Sequence, residues 1–299
     1  MDETAYSIAE KVNGIKESLN LNFLERKNAV DMIILSVISK KHSILIGGPG
    51  LAKTAVLKEL AYRVKGLRFF DFQMTPATKI EELISNRPQN KTGQSKTGID
   101  NCDIALIDEF FKGPHHTLNS LLSIMNERII YNPEPRKIPL VSLFAASNER
   151  PDKSSDSNLL PLYDRFLFRM EILPVKDGEN FKRLLELKEK KEGGFNGNNS
   201  GETVLGKEDI EILSSEAENV EMGGEIFDCL HKIREELKNK QVSVSDRRWR
   251  ETVKILKTNA VLNKRSYVAK EDIKMLEPSL WTYYSDIRAV KNILGRELK

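Results

Sequence analysis

With 299 residues the chain can bury one large core or divide into two domains of ordinary size. Hydrophobic residues make up 39% and charged residues 30%, which argues against an intrinsically disordered chain and fits a soluble globular protein. The net charge of +3, from 47 basic and 44 acidic residues, is too slight to argue for nucleic acid as a partner.

In chain order, the opening MDETAYSIAEKVNGIKESLN is polar and helical in pattern and does not read as a secretory leader. No apolar run approaches the roughly 20 residues that a membrane span needs. Short apolar runs then alternate with helical patterns. Ser43–Ile46, Leu67–Gln73, Ile104–Ile107, Leu140–Ala146 and Phe166–Ile172 are predicted strands. Between them, Leu118, Leu121, Leu122 and Met125 fall on one face of a predicted helix. Buried-type strands alternating with helices predict an α/β fold, a parallel sheet covered on both sides. After a predicted helix at Phe181–Lys191, the Gly/Asn/Ser-rich stretch EGGFNGNNSGETVLG reads as a mobile loop. Strand patterns then stop. Ile226, Leu230, Ile233 and Leu237 repeat at helical spacing, as do Trp249, Val253, Leu256 and Ala260. VAKEDIKML and LWTYYSDIRAVKNIL read as two further helices. The expected division is an α/β core over residues 1–190 with an N-terminal helical segment, a linker over 191–206, and a small all-α domain over 207–299.

Cys102 and Cys229 lie far apart, and the four histidines form no ligand pattern. The adjacent His115 and His116 read as a polar loop or helix start. A disulfide framework or zinc site is not expected, and a reducing cytosol fits, hence a cytoplasmic location.

The chemistry begins at GGPGLAKT, Gly47–Thr54. A predicted strand, a Gly-rich turn and a helix start make the context of a phosphate loop. Gly47, Gly48, Pro49, Gly50, Leu51 and Ala52 would form the loop around a phosphate, every one but Pro49 offering a backbone N–H, with the helix N-terminus adding partial positive charge. Lys53 would reach the β- and γ-phosphates of ATP, and Thr54 would place a hydroxyl on Mg²⁺. Ala52 stands where the general pattern has glycine, which costs nothing if its φ is negative, as in a first helical turn. Asp108 and Glu109 end a predicted strand that can neighbour the one before the loop. There Asp108 would hold Mg²⁺ and Glu109 would orient and deprotonate the attacking water. Asn148 follows another strand and could position that water, or simply cap its loop. Arg165 could reach the nucleotide of an adjacent subunit, or form an ion pair with Asp164. Arg169, within its strand, reads as structural. Ser245 resembles an N-cap, and Arg247 or Arg248 could project from that helix start toward the γ-phosphate across the interdomain cleft.

Taken together, GGPGLAKT, ALIDEFFKGPHHTLNSLLSIMNER, LFAASNE, LYDRFLFR and VSDRRW resemble the AAA+ ATPases, specifically the MoxR group and its RavA-like members. The resemblance runs from about Leu21 onward, and alanine before the lysine is common in that group. It implies an αβα core with five parallel strands followed by a helical lid. It maps Lys53 and Thr54 to Walker A, Asp108 and Glu109 to Walker B, Asn148 to sensor 1, Arg165 to the arginine finger and Arg247 to sensor 2. It further implies a ring, a hexamer, with nucleotide at subunit interfaces. The action would be chaperone-like, on a protein client, with a von Willebrand A domain protein as a partner. RavA-like members continue past the lid into a client-binding module. This chain stops at Lys299, which reads as a core fragment or a lid-terminated member. The short TGQSKTGIDN leaves little room for a large substrate-gripping insertion. Competing readings are a nucleotide-gated assembly scaffold and, less in keeping with the charge, a DNA-stimulated motor.

Overall fold

The computed structural model describes residues 1–84, 97–131, 134–149, 159–186 and 204–298. The chain opens with α1 (Glu3–Asn22) and α2 (Lys27–Ile38). Ala5, Ile8, Val12, Ile15 and Leu19 recur every three or four residues along α1, so one stripe is buried and the rest is exposed. From Ala29 to Ile38 every α2 residue but Asp31 is buried, because the helix lies between other elements on several sides.

The core follows as β1 (Ser43–Ile46), α3 (Lys53–Tyr62), β2 (Val64–Lys65), β3 (Phe69–Gln73), β4 (Ile104–Asp108), α4 (His115–Glu127), β5 (Ile129–Tyr131), β6 (Pro135–Lys137), β7 (Ser142–Ser147), α5 (Leu160–Tyr163) and β8 (Phe168–Glu171). Five strands form one parallel sheet in the order β3-β4-β7-β1-β8. All of β1 and β7 is buried, as strands covered on both faces must be, whereas the edge strand β3 exposes Asp71 and Gln73. The predicted strands are thus all present, with ends displaced by at most two residues. One adjacency differs. β7 lies between β1 and β4, so the phosphate-loop strand and the Asp108 strand are not neighbours. The crossover places Asn148, at the end of β7, between them.

α6 (Gly178–Glu186) begins before the predicted Phe181, and its predicted end at Lys191 lies outside the described residues. So does most of the predicted loop; its last residues instead form β9 (Leu205–Gly206), which pairs in parallel with β2 because the short β2 offers an open edge. The helical part comprises α7 (Lys207–Asn219), α8 (Gly224–Asn239), α9 (Asp246–Leu262), α10 (Glu277–Leu280) and α11 (Ile287–Glu297). It packs on α1, α2 and the edge strand β8. Two predicted helices are broken up. Lys270–Leu276 is a 3-10 segment leading into α10, and Trp281–Tyr283 runs extended before α11 starts. The Asp286 carboxylate accepts from the Tyr283 N–H at 3.0 Å, holding the turn that delays α11. Among the described residues no helix is long and apolar enough to cross a membrane.

Candidate functional site

Gly47–Ala52 joins the buried end of β1 to the first turn of α3. Glycine is required at the entry. A Cβ on Gly47 would stand 2.5 Å from the Ile172 carbonyl oxygen, so only a bare backbone passes β8 there. Gly50 turns the chain with φ +74°. Gly48, Pro49 and Gly50 are exposed, which leaves the outer surface of the loop open to a ligand.

Ala52 does not have the negative φ expected of it. Its φ is +60°, and it caps α3 from the left-handed region. The chain must leave the loop and enter the helix within one residue, and that turn needs the left-handed conformation whichever residue stands there. The methyl group therefore costs about 1 kcal/mol rather than nothing.

The Lys53 ammonium is folded over this loop. It donates to the carbonyls of Gly47 at 2.8 Å and Gly48 at 2.7 Å and to Asn148 Oδ1 at 2.7 Å. Those three bonds use all three of its donors. Burial lowers its pKa, opposed by the charges of Asp108 and Glu109. Asn148 in turn donates from Nδ2 to Glu109 Oε1 at 2.6 Å. The amide orientation follows from its neighbours, because an ammonium can only donate and a carboxylate only accept. Lys53, Asn148 and Glu109 thus form one polar chain across the ends of three strands. Glu109 also pairs with Lys112 at 3.3 Å, and has a φ of +51°. Such strain at a polar cluster marks a position fixed by its surroundings. Asp108 accepts from the Glu109 N–H at 2.8 Å, and Thr54, in the first turn of α3, is partly buried.

The residues fit a magnesium nucleotide. Gly48, Pro49 and Gly50 are exposed, the loop leads into a helix N-terminus, and Thr54 and Asp108 offer the hard oxygen donors that Mg²⁺ prefers. Among the described residues no group of three or more His, Cys, Asp or Glu could hold a metal by itself.

Sequence reasoning left the nucleoside contacts open. A cleft of about 860 Å³ lies between α2, the end of β8 and helices α10 and α11. It adjoins the loop on two sides. Arg26, which lines the cleft, donates from Nε to the Leu51 carbonyl at 3.3 Å, and Ile172 is the residue that abuts Gly47. Met32, Met275 and Ile287 give the cleft apolar walls. Glu277 lies in it with a pKa raised by burial, which Lys291 at 3.5 Å partly offsets. Neither Glu277 nor Arg26 carries a local sequence signal.

Arg165 and Arg247 both stand away from the loop. Leu167 donates its N–H to the His42 carbonyl at 3.0 Å, and Phe168 is in register with Ser43. Arg165 therefore lies at the amino edge of the sheet, and the loop at the carboxyl edge, about 13 Å or more away along β1. The expectation that Arg247 crosses the cleft toward its own loop is not met. Arg247 donates from Nη2 to the Asp164 carbonyl and to Asp164 Oδ2, the latter at 2.9 Å. The reason lies in how the helical part is seated. It packs on α1, α2 and β8, which brings the start of α9 to the amino edge. Arg165 approaches Asp164 Oδ2 at 3.9 Å, and burial and then Arg247 lower its pKa. Ser245 is the N-cap expected of it, accepting from the Arg248 N–H at 3.3 Å. Arg248 itself is buried, and donates to the carbonyls of Ser243, Ser279 and Trp281. Arg169 is buried as well, 4.7 Å over the Tyr163 ring, as a structural residue should be.

Known proteins carry the same frame. The crystal structure of a candidate ATPase from Cytophaga hutchinsonii superimposes with a TM-score of 0.77 over 99% of this chain and 96% of that one, at 20% identity, so the fold is shared. Uncharacterized protein MJ0812 of Methanocaldococcus jannaschii is 34% identical over 275 residues, 89% of this chain and 70% of that protein. Chaperone MoxR1 of Mycobacterium tuberculosis is 29% identical over 149 residues, 48% of this chain and 39% of that one. Residues 10–214 match the model of the MoxR domain in the MoxR-vWA-beta-propeller ternary systems, and residues 225–294 match that of an AAA lid domain. The chain is accordingly a member of the MoxR family of AAA+ ATPases, with a five-stranded α/β core followed by a helical lid.

Proposed function

We propose that the chain hydrolyses ATP as part of a hexameric ring and uses the turnover to remodel a protein client. The polar chain Lys53–Asn148–Glu109 beside the loop carries this reading. Lys53 and the backbone N–H groups of the loop, those of Gly47, Gly48, Gly50, Leu51 and Ala52, hold the phosphates, and the nucleoside occupies the cleft beside Arg26. Thr54 and Asp108 hold Mg²⁺, which when bound neutralises charge on the phosphate oxygens. Glu109 takes a proton from the attacking water while Asn148 fixes that water and the carboxylate together. Arg165 and Arg247 meet the γ-phosphate of the neighbouring subunit, where the charge of the transition state develops. Their place at the edge opposite their own loop supports action across an interface. Division into a core over 1–190, a linker over 191–206 and a lid over 207–299 suits this scheme, because the lid then brings one of the two arginines. The family model describes a MoxR domain that occurs with a vWA protein, and one similar protein is named a chaperone. The first supports a vWA-containing partner and the second supports client remodelling.

The test is complementation. Glu109→Gln keeps nucleotide binding and loses hydrolysis, and Arg165→Ala spares the loop but deprives the neighbour. Each alone should have under a tenth of wild-type steady-state turnover. Mixed in equal amounts, they pair an intact loop with an intact arginine at about a quarter of the interfaces. Activity should reappear on mixing. A mixture no more active than its components would refute action across the interface.

A further inference from the structure

Asp164 is the hub of a cluster that spans the core and the lid. Its carboxylate faces four guanidinium groups. Arg247 Nη2 lies 2.9 Å from Oδ2, Arg248 Nε 3.2 Å from Oδ1, Arg165 Nη1 3.9 Å from Oδ2 and Arg169 Nη2 3.9 Å from Oδ1. Ser245 Oγ adds a hydrogen bond to Oδ1 at 3.3 Å. Arg165 and Arg169 belong to the core, and Ser245, Arg247 and Arg248 to the start of α9.

The four arginines are not equivalent. Arg169 and Arg248 have side chains only 0% and 2% exposed. Arg169 donates to the carbonyls of Trp281 at 2.5 Å and Tyr163 at 3.3 Å. Arg248 has three carbonyls and the Thr282 hydroxyl as acceptors. These two are anchored without Asp164. Arg165 and Arg247 keep 27% and 39% of their side chains exposed, and Asp164 is the only carboxylate paired with either among the described residues. A single carboxylate shared by two part-exposed guanidiniums leaves net positive charge directed outward, in a fixed place.

Building on the cross-interface reading, we propose that Asp164 is a positioning residue: anchored from behind by Arg169, Arg248 and Ser245, it holds the core arginine Arg165 and the lid arginine Arg247 together so that both meet one phosphate of the adjacent subunit. It is itself no ligand of the nucleotide. Its carboxylate joins an arginine of each part of the molecule, so lid and core present them as a unit. Without the carboxylate the two like charges separate, and the lid arginine loses its register with the core.

The full-length chain tests this. Asp164→Asn should lower kcat about tenfold or more. The affinity of the chain's own loop for a fluorescent ATP analogue should change less than about twofold, because that loop is at the other edge of the sheet. Asp164→Glu keeps the charge and should restore part of the rate. The deciding comparison uses a chain already carrying Arg165→Ala and Arg247→Ala. There, adding Asp164→Asn should alter the residual rate by less than about twofold, since nothing is left to position. An equal loss of rate in both backgrounds would mean that Asp164 merely supports the fold, and overturns the proposal. If the Asn variant does not fold, Asp164→Ser takes its place in both backgrounds and is read in the same way, and wild-type turnover in it overturns the proposal. Failure of the underlying reading looks different: Arg165→Ala and Arg247→Ala would then each retain full turnover. If both lose turnover and Asp164→Asn does not, only the positioning role falls.

Discussion

Ala52 is the residue whose conformation composition alone misjudges. Its left-handed φ follows from the turn and not from the residue, so relief and added strain can be separated by substitution. Ala52→Gly removes the clash but adds unfolded-state entropy, and should change stability by less than about 1 kcal/mol. Ala52→Val puts a β-branched side chain at positive φ and should cost about 2 kcal/mol, with weaker nucleotide binding. Denaturant unfolding and nucleotide titration of the two variants check this; equal stability of the two would contradict the strain. His42 sets the second expectation. It is buried under the sheet edge, Nδ1 accepts from the Leu143 N–H at 2.9 Å, and Nε2 faces the Met125 carbonyl at 2.9 Å. Burial first, and Arg128 second, push its pKa well below 6.5. The unfolded chain therefore binds the extra proton first. Stability is fully present above about pH 6.5 and declines as the pH falls below it, by at most about 1.4 kcal/mol per pH unit from this group. His42→Asn has no proton to take up and should flatten that slope between pH 6.5 and 5. An unchanged slope in chemical denaturation would remove His42 as its source.

At the scale of elements, the sequence shows the strands and the loop well, and their order poorly. Ser43–Ile46 and Ile104–Asp108 are legible as apolar runs ending in Gly47 and in Asp108–Glu109, because burial on both faces demands such runs. Nothing local in either run says that β7 lies between them; long-range pairing decides that. Asn148 gains its meaning from the insertion, which is why its residues alone allowed a loop cap as readily as a site. Arg247 failed for a related reason. A helix start can be read from Ser245, but which edge of the sheet it faces depends on how α7 and α9 seat on α1 and α2. A tie at the far edge of the sheet helps to fix that seating. Asp103, before β4, accepts from the Arg68 N–H at 2.9 Å, from Arg68 Nη2 at 3.0 Å and from Lys207 Nζ at 2.8 Å, which joins the core to the first residue of α7. Burial pushes its carboxyl up, but the bonds from Arg68 and Lys207 outweigh burial and leave its pKa lowered. Asp103→Asn should destabilise the chain by about 1–2 kcal/mol, read as a fall in the unfolding midpoint. A midpoint unchanged by the substitution would show that α7 is held by its apolar contacts alone.

For the whole molecule, the sheet has two chemically distinct ends. The carboxyl end carries the loop, Asp108, Glu109 and Asn148, while the amino end carries Arg165 and Arg247 around Asp164. The length of β1 keeps them apart, and no rotamer of either arginine bridges a strand of that length. A solitary protomer thus cannot be its own neighbour. Specific activity should then collapse on dilution, with a threshold set by self-association instead of by substrate affinity. Molar turnover that stays flat from micromolar to low nanomolar protein would contradict this. Where the threshold holds, fuel consumption becomes a census of company: a stray copy idles, and only a crowd spends nucleotide.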